Sequence, residues 1–156
     1  MNACVYIEPL AEHLETIPAL THWFESEWDD YYGPLGPGDA AADLASFARR
    51  DSLPVGLVAF CGVELCGVAA LKADSIPTHA HLGPWASAGM VAPAYRGQGI
   101  GAQLLAALEE AARDLGFRHI YCGTGTSETL LLRTGWTLLE RTVHDGEELA
   151  IFMKML

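Results

Sequence analysis

The sequence predicts a single α/β domain over residues 1–156, with the element order β-αα-βββ-α-β-α-ββ. Three observations carry that reading. Apolar runs of strand length alternate with stripes of helical period. Two of those runs, 55–61 and 65–71, are separated only by Gly62-Val63-Glu64, a hairpin spacing. The chain is 51% hydrophobic and 19% charged, and its 156 residues suffice for one buried core without covalent staples.

Val5-Tyr6-Ile7 reads as a first short strand closed by Pro9. Leu14, Ile17, Leu20, Phe24 and Trp28 then recur at spacings of three and four, a helical stripe over 13–28. Pro18 lies inside it, so the helix starts or bends there. Gly33-Pro34-Leu35-Gly36-Pro37-Gly38 is a loop, and Asp39 is placed to cap a second helix running to about residue 50. Beyond the hairpin, 76–84 is a loop with His79, His81 and two prolines. Residues 85–91 form a strand made of small residues, Ala86, Ser87, Ala88 and Gly89. A helix over 99–115 gathers Ile100, Leu104, Leu105, Leu108, Ala111, Ala112 and Leu115 on one broad face, and Glu109 and Arg113 make a favourable i,i+4 pair. Gly116 suits the residue after the helix end, with Phe117 set to pack back. Residues 118–123 form another strand and a short helix begins near Ser127. Strands over 136–143 and 149–156 flank an Asp145-Gly146 turn. No repeat and no linker divides the chain.

Composition excludes several classes. No apolar run approaches the roughly 18 residues of a membrane-spanning helix. Met1-Asn2-Ala3-Cys4 has no basic region and Glu8 comes early, which argues against a secretory signal. The expectation is a soluble, cytoplasmic protein with no membrane partner. Cys4, Cys61, Cys66 and Cys122 lack metal-site spacing and read most simply as small buried apolar residues, although Cys61 and Cys66 could face each other across the hairpin. The net charge of −11 argues against nucleic acid. It is uneven: residues 1–51 hold ten acids against Arg49 and Arg50, and the remainder ten acids against seven bases. Such a surface steers cations, amines included, toward the protein; it also simply favours solubility.

The densest chemical signal is Val91-Ala92-Pro93-Ala94-Tyr95-Arg96-Gly97-Gln98-Gly99-Ile100-Gly101, where a strand ends and a helix begins. Glycines clear Cβ atoms from the backbone, and the first N–H groups of a helix lack internal partners and carry partial positive charge. Together they form a diphosphate cradle to which Arg96 adds a charged donor. Gly97, Gly99 and Ala102 formally satisfy a dinucleotide fingerprint, but the next strand ends His119-Ile120-Tyr121-Cys122-Gly123, with no acid for a ribose hydroxyl. No phosphate-binding Gly-x-x-x-x-Gly-Lys loop is present.

The run Arg96-x-x-Gly99-x-Gly101 resembles the acyl-CoA-binding motif of the GNAT superfamily of N-acyltransferases. The resemblance continues in the Val91-Ala92-Pro93 lead-in, the Leu-rich helix, Leu115-Gly116-Phe117, and Arg133-Thr134-Gly135-Trp136 in place of the usual Gly-Phe close. It implies a mixed, mostly antiparallel central sheet of six to seven strands flanked by about four helices. It also implies acetyl-CoA as co-substrate, held by Arg96, Gly97, Gln98, Gly99, Ile100 and Gly101, and direct transfer of the acetyl group to the amine of a small molecule or peptide. The backbones of Met90 and Val91 are expected to hold the pantetheine arm and the thioester carbonyl. Members of the family are monomers or homodimers.

Two departures from the family pattern stand out. The usual acid, a tyrosine four residues before the closing Gly-aromatic pair, is Leu131 here. Thr124, Thr126, Ser127 or Glu128 could replace it, through a hydroxyl or water, and Ser127 reads first as a helix N-cap. The glutamate base frequent on the fourth strand is also missing, which leaves His79 and His81 as the candidate base on position and titration range, or as plain loop histidines. Cys122, bordering the expected acetyl position, could open a covalent route. Trp28, Tyr31 and Tyr32, with Glu25, Glu27, Asp29 and Asp30, offer aromatic and acidic surface for an amine, and Trp85 could add a wall. No metal set is evident. A non-catalytic acyl-CoA-binding regulator is the alternative, and an oxidoreductase a remoter one.

Overall fold

The computed structural model describes residues 4–156. Along the chain run β1 (Val5–Pro9), α1 (Ile17–Glu27), α2 (Asp29–Tyr32), α3 (Ala40–Ser46), β2 (Val55–Cys61), β3 (Glu64–Lys72) and β4 (Trp85–Val91). After them come α4 (Ile100–Asp114), β5 (His119–Thr124), α5 (Glu128–Arg133), β6 (Thr137–His144) and β7 (Glu147–Met155). The strands form one seven-stranded sheet in the order β1-β2-β3-β4-β5-β7-β6. Every neighbouring pair is antiparallel except β4 with β5.

Helices cover both faces, so the central strands are apolar on both sides, and β2 and β3 are buried along nearly their whole length. On one face Ile100, Leu104, Leu108 and Ala112 of α4 pack on Leu57, Ala59, Ala69, Ile120 and Phe152. On the other, Leu20 and Phe24 of α1 and Leu44 of α3 pack on Val58, Phe60, Val68 and Met90. A third cluster, Ile76, Trp85, Tyr121 and Ile151, roots the 73–84 loop over the β5–β7 end of the sheet.

Several boundaries differ from the sequence reading for identifiable reasons. α1 begins at Ile17 with Pro18 in its first turn, where a missing N–H costs nothing; two 3₁₀ turns replace the expected first turn of the stripe. Asp39 caps α3, its carboxylate accepting from the Ala42 N–H at 3.0 Å, but the helix closes at Phe47, which is buried against the core. α2 is an additional helical turn created because Trp28 leaves the helical region at φ −117°, ψ 54°. Arg113 pairs with Glu110, while Glu109 is buried and pairs with Lys154 at 2.9 Å. No disulfide joins Cys61 to Cys66; Cys66 is buried, whereas Cys4 is exposed. No helix among the described residues is long and apolar enough to cross a membrane.

Candidate active site

Two backbone features open the sheet at its centre. β4 and β5 pair at a single position, Trp85 with Tyr121, and then part. Within β4 the register slips: Val68 faces Met90 and Ala70 faces Ser87, so Ala69 alone stands opposite both Ala88 and Gly89. Ala88 sits at φ +54°, in the left-handed region that costs an L-residue about 1–2 kcal/mol. This is a β-bulge with stored strain, at the place where the small residues 86–89 let a ligand approach the backbone.

The gap is a cleft of about 490 Å³. Ser87 to Val91 form one wall, Cys122 to Ser127 the other, and Leu104, Leu105, Leu108 and Leu131 close the apolar base. Arg96 and Gly101 line its mouth, at either end of the glycine turn. Gly97 and Gly99 hold φ +77° and +84°, left-handed angles that carry the chain from the 93–95 turn into α4. A Cβ on Gly97 or on Gly89 would meet nothing within 4 Å, so both face open space. Gln98, between Gly97 and Gly99, is half-buried, and Ile100 sends its side chain into the core while its backbone opens α4. The Arg96 Nε donates to the Val91 carbonyl at 2.9 Å, which ties the guanidinium to the end of β4. A long, mostly apolar channel ending at a helix N-terminus with an arginine fits a pantetheine arm and its diphosphate.

A second cleft of about 500 Å³ meets the first at Glu27, Trp28, Ser87 and Ala88. Asp29, Asp30, Tyr31, Tyr32, Phe47 and Lys72 complete it. The Tyr32 hydroxyl donates to Asp43 at 2.7 Å; burial, followed by that carboxylate, drives its pKa well above the usual phenol range. Tyr31 stands edge-on to Tyr32 at 4.7 Å and is half exposed. Lys72 and Phe47 were not foreseen. Lys72 ends a strand whose alternation gave no hint that its last residue turns toward the α1–α2 corner.

The structure separates other expected site residues from these clefts. Trp85 is completely buried, its indole N–H donating to the Leu82 carbonyl at 2.9 Å. It is core, not a pocket wall, because the 73–84 loop folds over it and Ile76, Tyr121 and Ile151 pack around its ring. His79 is buried as well: Thr78 bonds one ring nitrogen at 2.8 Å and Glu140 of β6 the other. His81 stacks on His79 at 5.9 Å, and neither histidine lines either cleft. His79 ties the loop to β6 through Glu140, and His81 is exposed beside it. Ser127 lines the first cleft but caps nothing with its side chain. The Thr124 Oγ1 accepts from the Thr126 and Ser127 N–H at 3.1 and 2.8 Å and so fixes the turn that leads into α5. Leu131 is buried at the cleft floor, and no tyrosine lines this cleft. Burial pushes the Cys122 thiol up to about 12, so it stays protonated at neutral pH. Among the described residues no group of three His, Cys, Asp or Glu side chains converges as a metal site.

Comparison with known proteins agrees with this geometry. An aminoglycoside 6'-N-acetyltransferase complexed with coenzyme A superposes with a TM-score of 0.77 at 12% identity, covering 96% of each chain. The Salmonella typhimurium protein yncA, solved with its cofactor acetyl-CoA, gives 0.73 at 19% identity, covering 97% of this chain and 94% of that one. The aminoglycoside 6'-N-acetyltransferase from Enterococcus faecium gives 0.76 at 14% identity, covering 96% of each chain. No curated protein matches in sequence. The model of the Acetyltransferase (GNAT) family matches residues 19–131, and with it the chain belongs to that family of acyl-CoA-dependent N-acyltransferases, for which acetyl-CoA is the co-substrate.

Proposed function

We propose that this protein transfers the acetyl group of acetyl-CoA directly to an amine of a small molecule or peptide bound in the second cleft. The reading is supported by the junction of the two clefts at Glu27, Trp28, Ser87 and Ala88, where an amine in one would meet a thioester in the other. Proximity of two oriented reactants is the largest single advantage such a site can supply to a bimolecular step.

The chemistry follows from the groups at hand. The amine lone pair attacks the thioester carbonyl, a C–N bond forms, and the negative charge that gathers on oxygen is held by the β4 backbone at Met90 and Val91. Collapse breaks the C–S bond and releases the CoA thiolate, which takes up one proton; the amine loses one. Ser127, half-buried in the cofactor cleft with no capping duty, is the hydroxyl proposed to protonate the thiolate. Glu27, Asp29 and Asp30 are the carboxylates positioned to attract an ammonium and pass on its proton through water. An acceptor with several amines suits that lining, and aminoglycosides, the substrates named for two of the similar structures, are of this kind.

The test is release of free thiol from acetyl-CoA across a panel of aminoglycosides, polyamines, amino acids and peptides. Amine-dependent release establishes the transferase reading. The absence of a tyrosine from the cofactor cleft favours one competing reading, a non-catalytic acyl-CoA-binding regulator. Tight acetyl-CoA binding with no turnover on any amine would decide for it.

A further inference from the structure

Glu27 and Arg96 stand on opposite sides of the cleft junction and meet. Glu27 is the last residue of α1 and lines both clefts, whereas Arg96 precedes the glycine turn and lines the cofactor cleft alone. The Arg96 Nη2 lies 3.7 Å from the Glu27 Oε1, and both side chains are about half exposed. The same guanidinium donates through Nε to the Val91 carbonyl at 2.9 Å, which keeps it beside the β4 end while its terminal NH2 groups are left to pair with either of two partners. One cation thus faces two anionic claimants: the carboxylate of this chain and the diphosphate of the co-substrate.

We propose that Glu27 is the residue that receives the acceptor's ammonium group, and that Arg96 masks it until the CoA diphosphate arrives. In the free protein the ion pair neutralises the carboxylate at the mouth of the acceptor cleft. A diphosphate carries more charge than a carboxylate and is further held by the helix N-terminus, so it draws the guanidinium away. Glu27 is then a bare anion next to Trp28, an aromatic residue that lines the same cleft. Acceptor binding after acetyl-CoA is the consequence. The benefit is chemical: an amine docked on an empty protein cannot react, and the mask keeps it out. Because the coupling is a free energy between two ligands, it is reciprocal: each strengthens the other by the same factor.

This inference rests on the reading of the first cleft as the CoA site, and the experiment separates the two. Coenzyme A is titrated calorimetrically into wild type, Glu27→Gln, Arg96→Gln and the double variant at one ionic strength. A half-exposed pair holds a guanidinium back only modestly, so Glu27→Gln tightens CoA binding about two- to fivefold. In the Arg96→Gln background the same change has no effect, because nothing is left to mask. A tightening of equal size in both backgrounds would reflect only the loss of a nearby negative charge and would overturn the proposal. Spermidine, as the cationic probe, is then titrated into free and CoA-saturated protein. CoA tightens spermidine binding to wild type about two- to fivefold more than it does to Glu27→Gln. The comparison is needed because the diphosphate attracts a cation in both proteins. Equal enhancement in the two, or no spermidine binding in either state, also overturns it. Should coenzyme A bind none of the four proteins, the cofactor reading itself falls, and this inference with it.

Discussion

Gly89→Leu separates folding from cofactor binding more sharply than any other substitution in the sheet. Gly89 sits on the bulge of β4, its φ lies outside the left-handed region, and a Cβ there meets no atom within 4 Å. Strain and clash are therefore both absent, and removing a strand glycine should leave stability unchanged or raise it by roughly 0.5–1 kcal/mol. The new side chain projects into the 490 Å³ cleft, against the path assigned to the thioester end of acetyl-CoA. Overfilling a packed space costs about 1–3 kcal/mol, which corresponds to a loss of roughly 5- to 150-fold in acetyl-CoA affinity. Gly56→Ala supplies the opposite control. Its Cβ would fall 2.8 Å from the Phe47 Cβ and 3.0 Å from Leu10, so it destabilises the fold while the folded fraction binds normally. Urea unfolding paired with calorimetric titration reads both quantities. A folded Gly89→Leu protein with acetyl-CoA affinity within about threefold of wild type would refute the placement of the co-substrate along β4.

Three further outcomes are expected. Cys122→Ala keeps its transfer rate, because burial pushes the thiol up to about 12 and leaves no thiolate to acetylate; loss of transfer with acetyl-CoA binding intact would restore the covalent route. His81→Ala leaves the rate and its pH profile unchanged, since the ring lines neither cleft, and a lost basic limb in the profile would show otherwise. His13 has its pKa raised chiefly by the hydrogen bond it donates to Glu15, with Glu8 adding to it. Its stabilising contribution is complete below the unfolded value of about 6.5 and is lost as pH rises through the raised folded value. The stability gap between wild type and His13→Gln should therefore be wider at about pH 6 than at about pH 8.5, and an unchanged gap would count against the Glu15 and Glu8 pairing.

Features governed by local chemistry were readable in the sequence. The Asp145-Gly146 turn adopts φ +51° and +79°, Gly116 follows α4 at φ +91°, and Asp39 caps α3, each because few residue types tolerate those positions. The glycine turn before α4 belongs with them, since it is a run of neighbours whose geometry is set by their own backbones. What failed was set by partners distant along the chain. Whether an indole such as Trp85 lines a pocket or fills a core depends on strand register and on the loop that folds over it, and neither leaves a periodic trace. His79 is anchored by Glu140, 61 residues away, and Glu109 by Lys154 rather than by its helical neighbour. Lys72 entered the second cleft unannounced for the same reason, because the cleft wall is assembled from α1, α2, β3 and β4.

The central claim, that the gap between β4 and β5 holds acetyl-CoA, is tested most directly by calorimetric titration of the purified protein with acetyl-CoA and with NADH as control. Micromolar binding of acetyl-CoA at about one site per chain, with no heat from NADH, is the result this account predicts. No acetyl-CoA binding, or equal binding of the two, would contradict it and reduce the glycine turn to a structural connection between a strand and a helix.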